Sequence, residues 1–232
     1  MNSVDLRNEA KNIGIELTDD MLAQLETYCA LLQETNEKVN LTAITDTEEF
    51  YEKHFYDSML PLPYIKEGKL IDVGSGAGFP GLVMAIVRKD LDVTLLEANN
   101  KKCNFLNEVK NKLKLENVTV VNDRAEDFIK EEREKYDYVI ARAVANLNIL
   151  SELCIPFIKV DGVFIAMKGS KGSEEEKEAT HAIETLGCEL DFKQEIKLMN
   201  DDERINLFYK KKESTDKKYP RSYNAIKNKP LK

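Results

Sequence analysis

Apolar residues recur along this chain in two rhythms, and the change between them divides it. Early on the step is three or four. Met21, Leu22, Leu25, Tyr28, Cys29 and Leu32 follow Thr18, a residue suited to cap the helix they predict. Asp46 and Glu49 have capping-box spacing, and Phe50, Tyr51, His54, Phe55 and Met59 then share one face up to Pro61. Residues 1–64 therefore read as a helical cap. His54, on the apolar stripe, reads as a packed, hydrogen-bonded histidine rather than a catalyst.

From residue 69 short apolar runs alternate with amphipathic stretches. The pattern predicts strands at 69–73, 92–97, 118–122, 136–141 and 162–168, with helices near 99–113, 124–132, 146–156 and 173–186. Pro80 opens a further helix, where its missing N–H costs nothing. Such alternation builds a parallel sheet with right-handed crossovers and helices on both faces. It breaks after the fifth strand. Runs at 188–198 and 204–212, joined by Asn200-Asp201-Asp202-Glu203, predict an antiparallel hairpin. The expectation is an α/β protein with a Rossmann-like, mostly parallel sheet over 65–212, closed by that hairpin and preceded by the cap. A basic, loosely ordered tail over 213–232 completes one compact domain.

Composition narrows the classes. With 232 residues and 42% hydrophobic positions the chain buries a real core, which excludes wholesale disorder. The net charge of −8 excludes a uniformly basic nucleic-acid binder, yet residues 210–232 hold nine Lys/Arg against two Asp/Glu. A tail of +7 thus follows a body of −15, and such a tail suits a polyanion. Four separated cysteines without a CxxC, and only two histidines, predict reduced, mostly buried thiols and no metal site. The start lacks the apolar core of a leader, and no apolar run approaches the ~18 residues of a membrane span. The expectation is a cytoplasmic, monomeric protein.

The strongest chemical signal is Asp72-Val73-Gly74-Ser75-Gly76-Ala77-Gly78-Phe79-Pro80-Gly81. Glycines just after a buried strand let the chain turn sharply and let a ligand approach the backbone. In an enzyme using S-adenosylmethionine, Asp72 at the strand end receives the cationic amino group of the methionine part. Glu97, ending the second strand, is placed to accept both hydroxyls of a ribose. After the third strand Ala125 offers a backbone amide to an adenine edge with Glu126 flanking it, although these acids also suit a helix N-terminus. Arg142 ends the fourth strand, where methyl acceptors meet the donor in this architecture, and it suits a carboxylate, a phosphate or a guanine oxygen. Lys168, ending the fifth strand, and Lys217, Lys218 and Arg221 of the tail, interleaved with Tyr219 and Tyr223, are candidates for RNA contact.

Gly76, Gly78 and Gly81 also satisfy the dinucleotide pattern GxGxxG. The first of these glycines lies four positions past Asp72, and a hairpin stands where a second nucleotide-binding half belongs, so a nicotinamide oxidoreductase ranks below a methyltransferase. A methyltransferase of small molecules or proteins leaves the tail without a role. A non-catalytic RNA-binding module leaves the glycine turn without one.

Five segments occur in order: AsnGluLysValAsnLeuThr (36–42), LysHisPheTyrAspSer (53–58), the glycine turn (72–81), AspArgAlaGluAsp (123–127) and AlaArgAlaValAla (141–145). Together they resemble the bacterial ribosomal RNA small subunit methyltransferase G family, formerly glucose-inhibited division protein B. The likeness spans nearly the whole chain. It implies a class I S-adenosylmethionine-dependent methyltransferase fold and methylation of guanine N7 in 16S ribosomal RNA, with the RNA or the small ribosomal subunit as partner. It implies cofactor positions at Gly74, Phe79, Ala125, Glu126 and Arg142, the last as an orienting residue. The family usually carries a glycine in the tail where this chain has Asn224. Because N7 carries a lone pair and no proton, no general base is expected; alignment and desolvation are expected instead.

Overall fold

Capping chemistry starts the first helices where the sequence places it. The computed structural model describes residues 1–44 and 46–231, the Lys38 side chain excepted; Lys232, the end of the predicted tail, lies outside them. After α1 (Ser3–Asn12), Thr18 Oγ1 accepts from the Met21 N–H at 3.2 Å and opens α2 (Asp19–Val39). Asp46 accepts from the Glu49 N–H at 3.0 Å and opens α3 (Thr47–Phe50). The helix expected to continue from there departs from α geometry. Tyr51–Tyr56 is π-helical, and the chain returns to α form in α4 (Asp57–Met59). The wider turn buries Tyr51, Glu52, His54, Phe55 and Tyr56 together, more of the circumference than an α-helical stripe covers. Such segments are rare and concentrate at functional sites.

The strands are β1 (Gly68–Val73), β2 (Leu91–Leu96), β3 (Val118–Val121), β4 (Tyr136–Arg142), β5 (Ile158–Lys168), β6 (Cys188–Lys197) and β7 (Glu203–Lys211). They form one sheet in the order β3-β2-β1-β4-β5-β7-β6. β1 pairs in parallel with β4, β2 with β3 and β4 with β5, whereas β7 runs antiparallel to both β5 and β6. The hairpin thus closes the sheet as expected. β5 begins at Ile158 rather than residue 162, because Ile158 pairs with Tyr136 across a register shift. Between and after the strands lie α5 (Gly81–Val87), α6 (Asn100–Leu113), α7 (Ala125–Glu132), α8 (Leu147–Cys154), α9 (Gly172–Thr185) and α10 (Tyr223–Asn228).

Two compact units divide the chain: Met1–Gly68 with Ser75–Asn122, and Lys69–Gly74 with Asp123–Lys232. The first contains the cap, the glycine turn from Ser75 onward, β2, α6 and β3. The second contains nearly all of β1, the last four strands and the C-terminal segment, which is far from loose. Lys211 is fully buried and donates to the Ile155 carbonyl at 3.1 Å and to Thr215 Oγ1. Thr215 in turn donates to the Leu186 carbonyl at 2.7 Å, and Tyr219 and Ile226 are buried. Glu152 on α8, completely buried, takes Arg221 Nη2 at 2.6 Å and the Arg221 backbone N–H at 2.8 Å. The expected loose tail is therefore tied to its unit, because several of its polar groups find buried partners. Asn224 lies inside α10 in helical form, so the departure from glycine there demands no left-handed backbone.

Candidate active site

The strand order reverses between the neighbours β1 and β4. Ligands of open α/β sheets bind beyond the carboxyl ends of the strands at such a point. β1 and β4 belong to the same unit and are in register through Asp72 opposite Ile140. Asp72 is completely buried at the end of β1. Gly74 follows with φ 75, and a Cβ built on it falls 2.8 Å from Val144 Cγ2. Only a glycine lets the Val144 side chain approach so closely. Arg142, half-buried, ends β4, and Ala143 after it adopts a left-handed conformation with φ 55. Val144 keeps 39% of its surface open.

In the other unit the glycine turn is packed against rings. Tyr28 donates its hydroxyl to the Ala77 carbonyl, and a Cβ on Gly78 (φ +104) falls 2.6 Å from that hydroxyl and 2.4 Å from Leu82 Cδ1. Phe79 is buried, stacked on His54 at 4.3 Å and on Tyr28 at 5.3 Å between ring centres. Its ring is thus spent on packing. His54 lies 3.0 Å, through Nε2, from Thr42 Oγ1, the packed and hydrogen-bonded histidine that the sequence predicts.

Glu97 follows β2 with 9% exposure. Its Oε2 accepts from the Gly76 N–H at 2.9 Å and its Oε1 from the Asn99 N–H at 2.8 Å. Each carboxylate oxygen has a second lone pair, so the group is oriented and retains acceptor capacity. Asn122 supports it from behind, donating to the Glu97 carbonyl at 3.0 Å.

Ala125 and Glu126 open α7, where the carboxylate complements the positive helix end. Glu126 also accepts from Arg124 Nε at 2.7 Å, and the Arg124 guanidinium lies 5.2 Å from the centre of the Tyr223 ring. The RNA-contact candidates divide. Lys217 is exposed, and Lys218 is exposed with Asp216 3.2 Å away. Arg221 and Lys168, by contrast, are engaged inside the fold, Arg221 with Glu152 and Lys168 with the Ala145 carbonyl at 2.6 Å and Glu175 at 2.8 Å. Burial of a cation demands partners, and here the partners are internal.

The thiols are all buried, and burial pushes Cys29 up to about 11 and Cys188 to about 12, with Cys103 and Cys154 also raised. They remain protonated near neutrality and are poor nucleophiles. Among the described residues no cluster of His, Cys, Asp or Glu suits a metal ion, and no helix is long and apolar enough to cross a membrane.

Sequence reasoning missed Val144, Glu175 and the Thr42–His54 contact. Thr42, His54 and Val144 all lie within the segments that carry the family resemblance, so that resemblance was the available signal. Glu175 sits in an acidic helical run that gives no sign of its partner.

The family model for rRNA small subunit methyltransferase G matches residues 21–205. A ribosomal RNA small subunit methyltransferase G of Clostridium perfringens is 46% identical over 239 residues, covering 100% of both chains. One from Streptococcus agalactiae is 46% identical over 224 residues, covering 94% of each. Among solved structures, M. jannaschii TYW2 in complex with AdoMet superposes with a TM-score of 0.53 at 20% identity, covering 62% of this chain and 69% of that one. A mutant 16S rRNA (adenine(1408)-N(1))-methyltransferase from Catenulisporales acidiphilia, solved with SAM, gives 0.52 at 13%, covering 65% and 87%. At these identities the two structures speak for the fold alone.

Proposed function

Because the chain belongs to the ribosomal RNA small subunit methyltransferase G family, we propose that the residues described above bind its methyl donor and present the acceptor base to it. The activity is S-adenosylmethionine-dependent methylation of 16S ribosomal RNA at guanine N7. The donor supplies an electrophilic methyl group on a cationic sulfur.

The residues present fit that group. Glu97 offers two oriented oxygens with spare lone pairs to the ribose hydroxyls. Asp72 supplies a carboxylate for the amino group, and Gly74, Gly76 and Gly78 keep the backbone open to close approach. The Phe79 ring fixes the turn from beneath, so its contribution to the cofactor is through its backbone. Ala125 and Glu126 frame the adenine edge. Arg142 and Val144 form the lip that meets the guanine, Arg142 orienting through its fork of donors and Val144 offering an apolar surface. Attack by N7 releases no proton at that atom, so the step calls for alignment and desolvation rather than a general base. Exposed Lys217 and Lys218 take RNA phosphates.

The observation that carries this reading is the Glu97 carboxylate, held by two backbone N–H groups with acceptor capacity left over. Calorimetric titration tests it. S-adenosylhomocysteine binds the wild-type chain and binds Glu97→Ala more weakly, while NAD(H) binds neither; undiminished affinity in the variant removes Glu97 from the site. Chemical cleavage at 7-methylguanosine in 16S RNA, from cells with and without the gene, locates the base.

A further inference from the structure

The loop joining β4 to α8 holds a conformation that its own sequence does not favour. Ala143 has φ 55, a region where a residue with a Cβ costs about 1 kcal/mol or more. Such geometry persists only where the surroundings over-determine it. Here the surroundings include two charged residues from the following β5–α9 segment. Lys168, at the end of β5, donates from Nζ to the Ala145 carbonyl at 2.6 Å. The same Nζ lies 2.8 Å from Glu175 Oε2 on α9, and that oxygen also accepts from the Leu147 N–H at 2.8 Å. One ion pair thus grips the loop on both sides of Asn146, by the carbonyl before it and the amide after it. Lys168 is 9% exposed.

A partly buried pair of this kind adds little net stability, since desolvation offsets much of the attraction. What it does supply is direction. Lys168 donates along one line and Glu175 accepts along another, and between them the peptide run from Ala145 to Leu147 has little freedom. The residues so fixed are those next to Val144, whose side chain sits against Gly74, and to Arg142.

We propose that Lys168 and Glu175 are positioning residues for methyl transfer, holding the β4–α8 loop in the bent form that places Val144 and Arg142 for the acceptor guanine. This rests on the reading of that loop as the acceptor lip. It gives Lys168 a role other than contact with RNA phosphate, and it gives Glu175, outside the family segments, a part in the reaction.

The test is steady-state methylation of small ribosomal subunits lacking the modification, with active sites counted by S-adenosylhomocysteine binding. Glu175→Gln keeps the shape of the side chain and weakens the pair. It lowers kcat about tenfold while KM for the subunit stays within about twofold, as expected when alignment rather than binding is lost. Lys168→Met does the same, and Lys168→Arg restores most of the rate. Should Lys168→Met leave too little folded protein, Glu175→Gln and the paired change Lys168→Met/Glu175→Leu carry the test, because the pair is there removed without stranding a charge. Unaltered kcat in Glu175→Gln overturns the proposal. So does a rise of KM in Lys168→Met, with a flatter salt dependence, beside a fall of KM in Glu175→Gln, the signature of a phosphate contact partly neutralised by its neighbour. Val144→Gly separates the two levels. Impaired turnover there beside normal Glu175→Gln kinetics overturns only the positioning role, whereas normal turnover in Val144→Gly overturns the reading of the lip itself.

Discussion

Around the glycine turn, the unit that contains the cap is furnished with rings: Tyr28, Phe50, His54, Phe55 and Phe79 contact one another at centroid distances from 4.3 to 6.3 Å. The unit that contains β4 and β5 is furnished with ion pairs that each bury one partner, Glu152 with Arg221, Lys168 with Glu175 and Lys211 with Glu134. The contrast follows from what each must hold. The turn offers backbone groups and excludes a Cβ at Gly78, so it needs a shaped apolar floor; rings provide shape without direction. The loop after β4 and the C-terminal segment must be held at particular carbonyls and amides, and charged hydrogen bonds provide direction. Around the turn packing is set by volume; along the loop after β4 and the C-terminal segment it is set by polarity.

The largest effect is expected where volume is violated. Gly78→Ala places a Cβ 2.4 Å from Leu82 Cδ1 at φ +104, which combines overpacking with backbone strain. It should cost about 4 kcal/mol or more, read from the urea midpoint, and abolish S-adenosylhomocysteine binding. Gly14→Ala is the control, since it has φ +82 and nothing within 4 Å, and should cost only about 1 kcal/mol. Equal costs at the two positions would mean that backbone conformation alone, and not the ring floor, dictates the turn.

Next is the polar counterpart. Arg221→Met leaves Glu152, at 0% exposure, without its guanidinium, and should destabilise by about 3 kcal/mol. Replacing both, as Arg221→Met/Glu152→Leu, should recover most of that loss. A cost near that of a surface pair would erase the distinction between the units. A smaller effect belongs to Glu97→Ala, which removes the acceptor of two backbone N–H groups. Affinity for S-adenosylhomocysteine should fall about tenfold to thirtyfold, the equivalent of one hydrogen bond to a charged group.

These two kinds of interior were not equally legible in the amino-acid sequence. Strands, caps and the terminal hairpin announce themselves through local rhythm, so Thr18, Asp46 and the alternation after residue 69 were enough to place them. The glycine turn is likewise local. The pairing of Arg221 with Glu152 joins residues 69 positions apart and leaves no periodic trace. In the sequence Arg221 is a cation in a basic tail and Lys168 a strand-end lysine, and RNA suits either as a partner. The π-helical Tyr51–Tyr56 was hidden for another reason: its apolar residues satisfy an α-helical stripe as well, and only packing reveals the wider turn.

The finest probe of the comparison is acid. Burial alone raises the carboxyl of Glu134, but the Thr215 amide, the Lys211 charge and the Ser214 hydroxyl outweigh it and hold the group below its usual 4.5. Asp137 is governed in the same way, burial being outweighed by Lys159 and the Lys69 amide, so that it stays below 3.8. Both belong to the unit of buried charges. Below these ordinary values the unfolded chain binds protons that the folded chain still refuses, so stability is complete above about pH 4.5 and is lost as pH falls through the lowered values. Each group contributes a slope of at most about 1.4 kcal/mol per pH unit over that window. Glu134→Gln should therefore flatten the acid limb of a urea-midpoint profile, and Asp137→Asn should flatten it further. An acid limb of unchanged steepness in the double variant would mean that these carboxylates are no better held in the folded chain than in the unfolded one, and that direction, not charge, is all this unit draws from its polar interior.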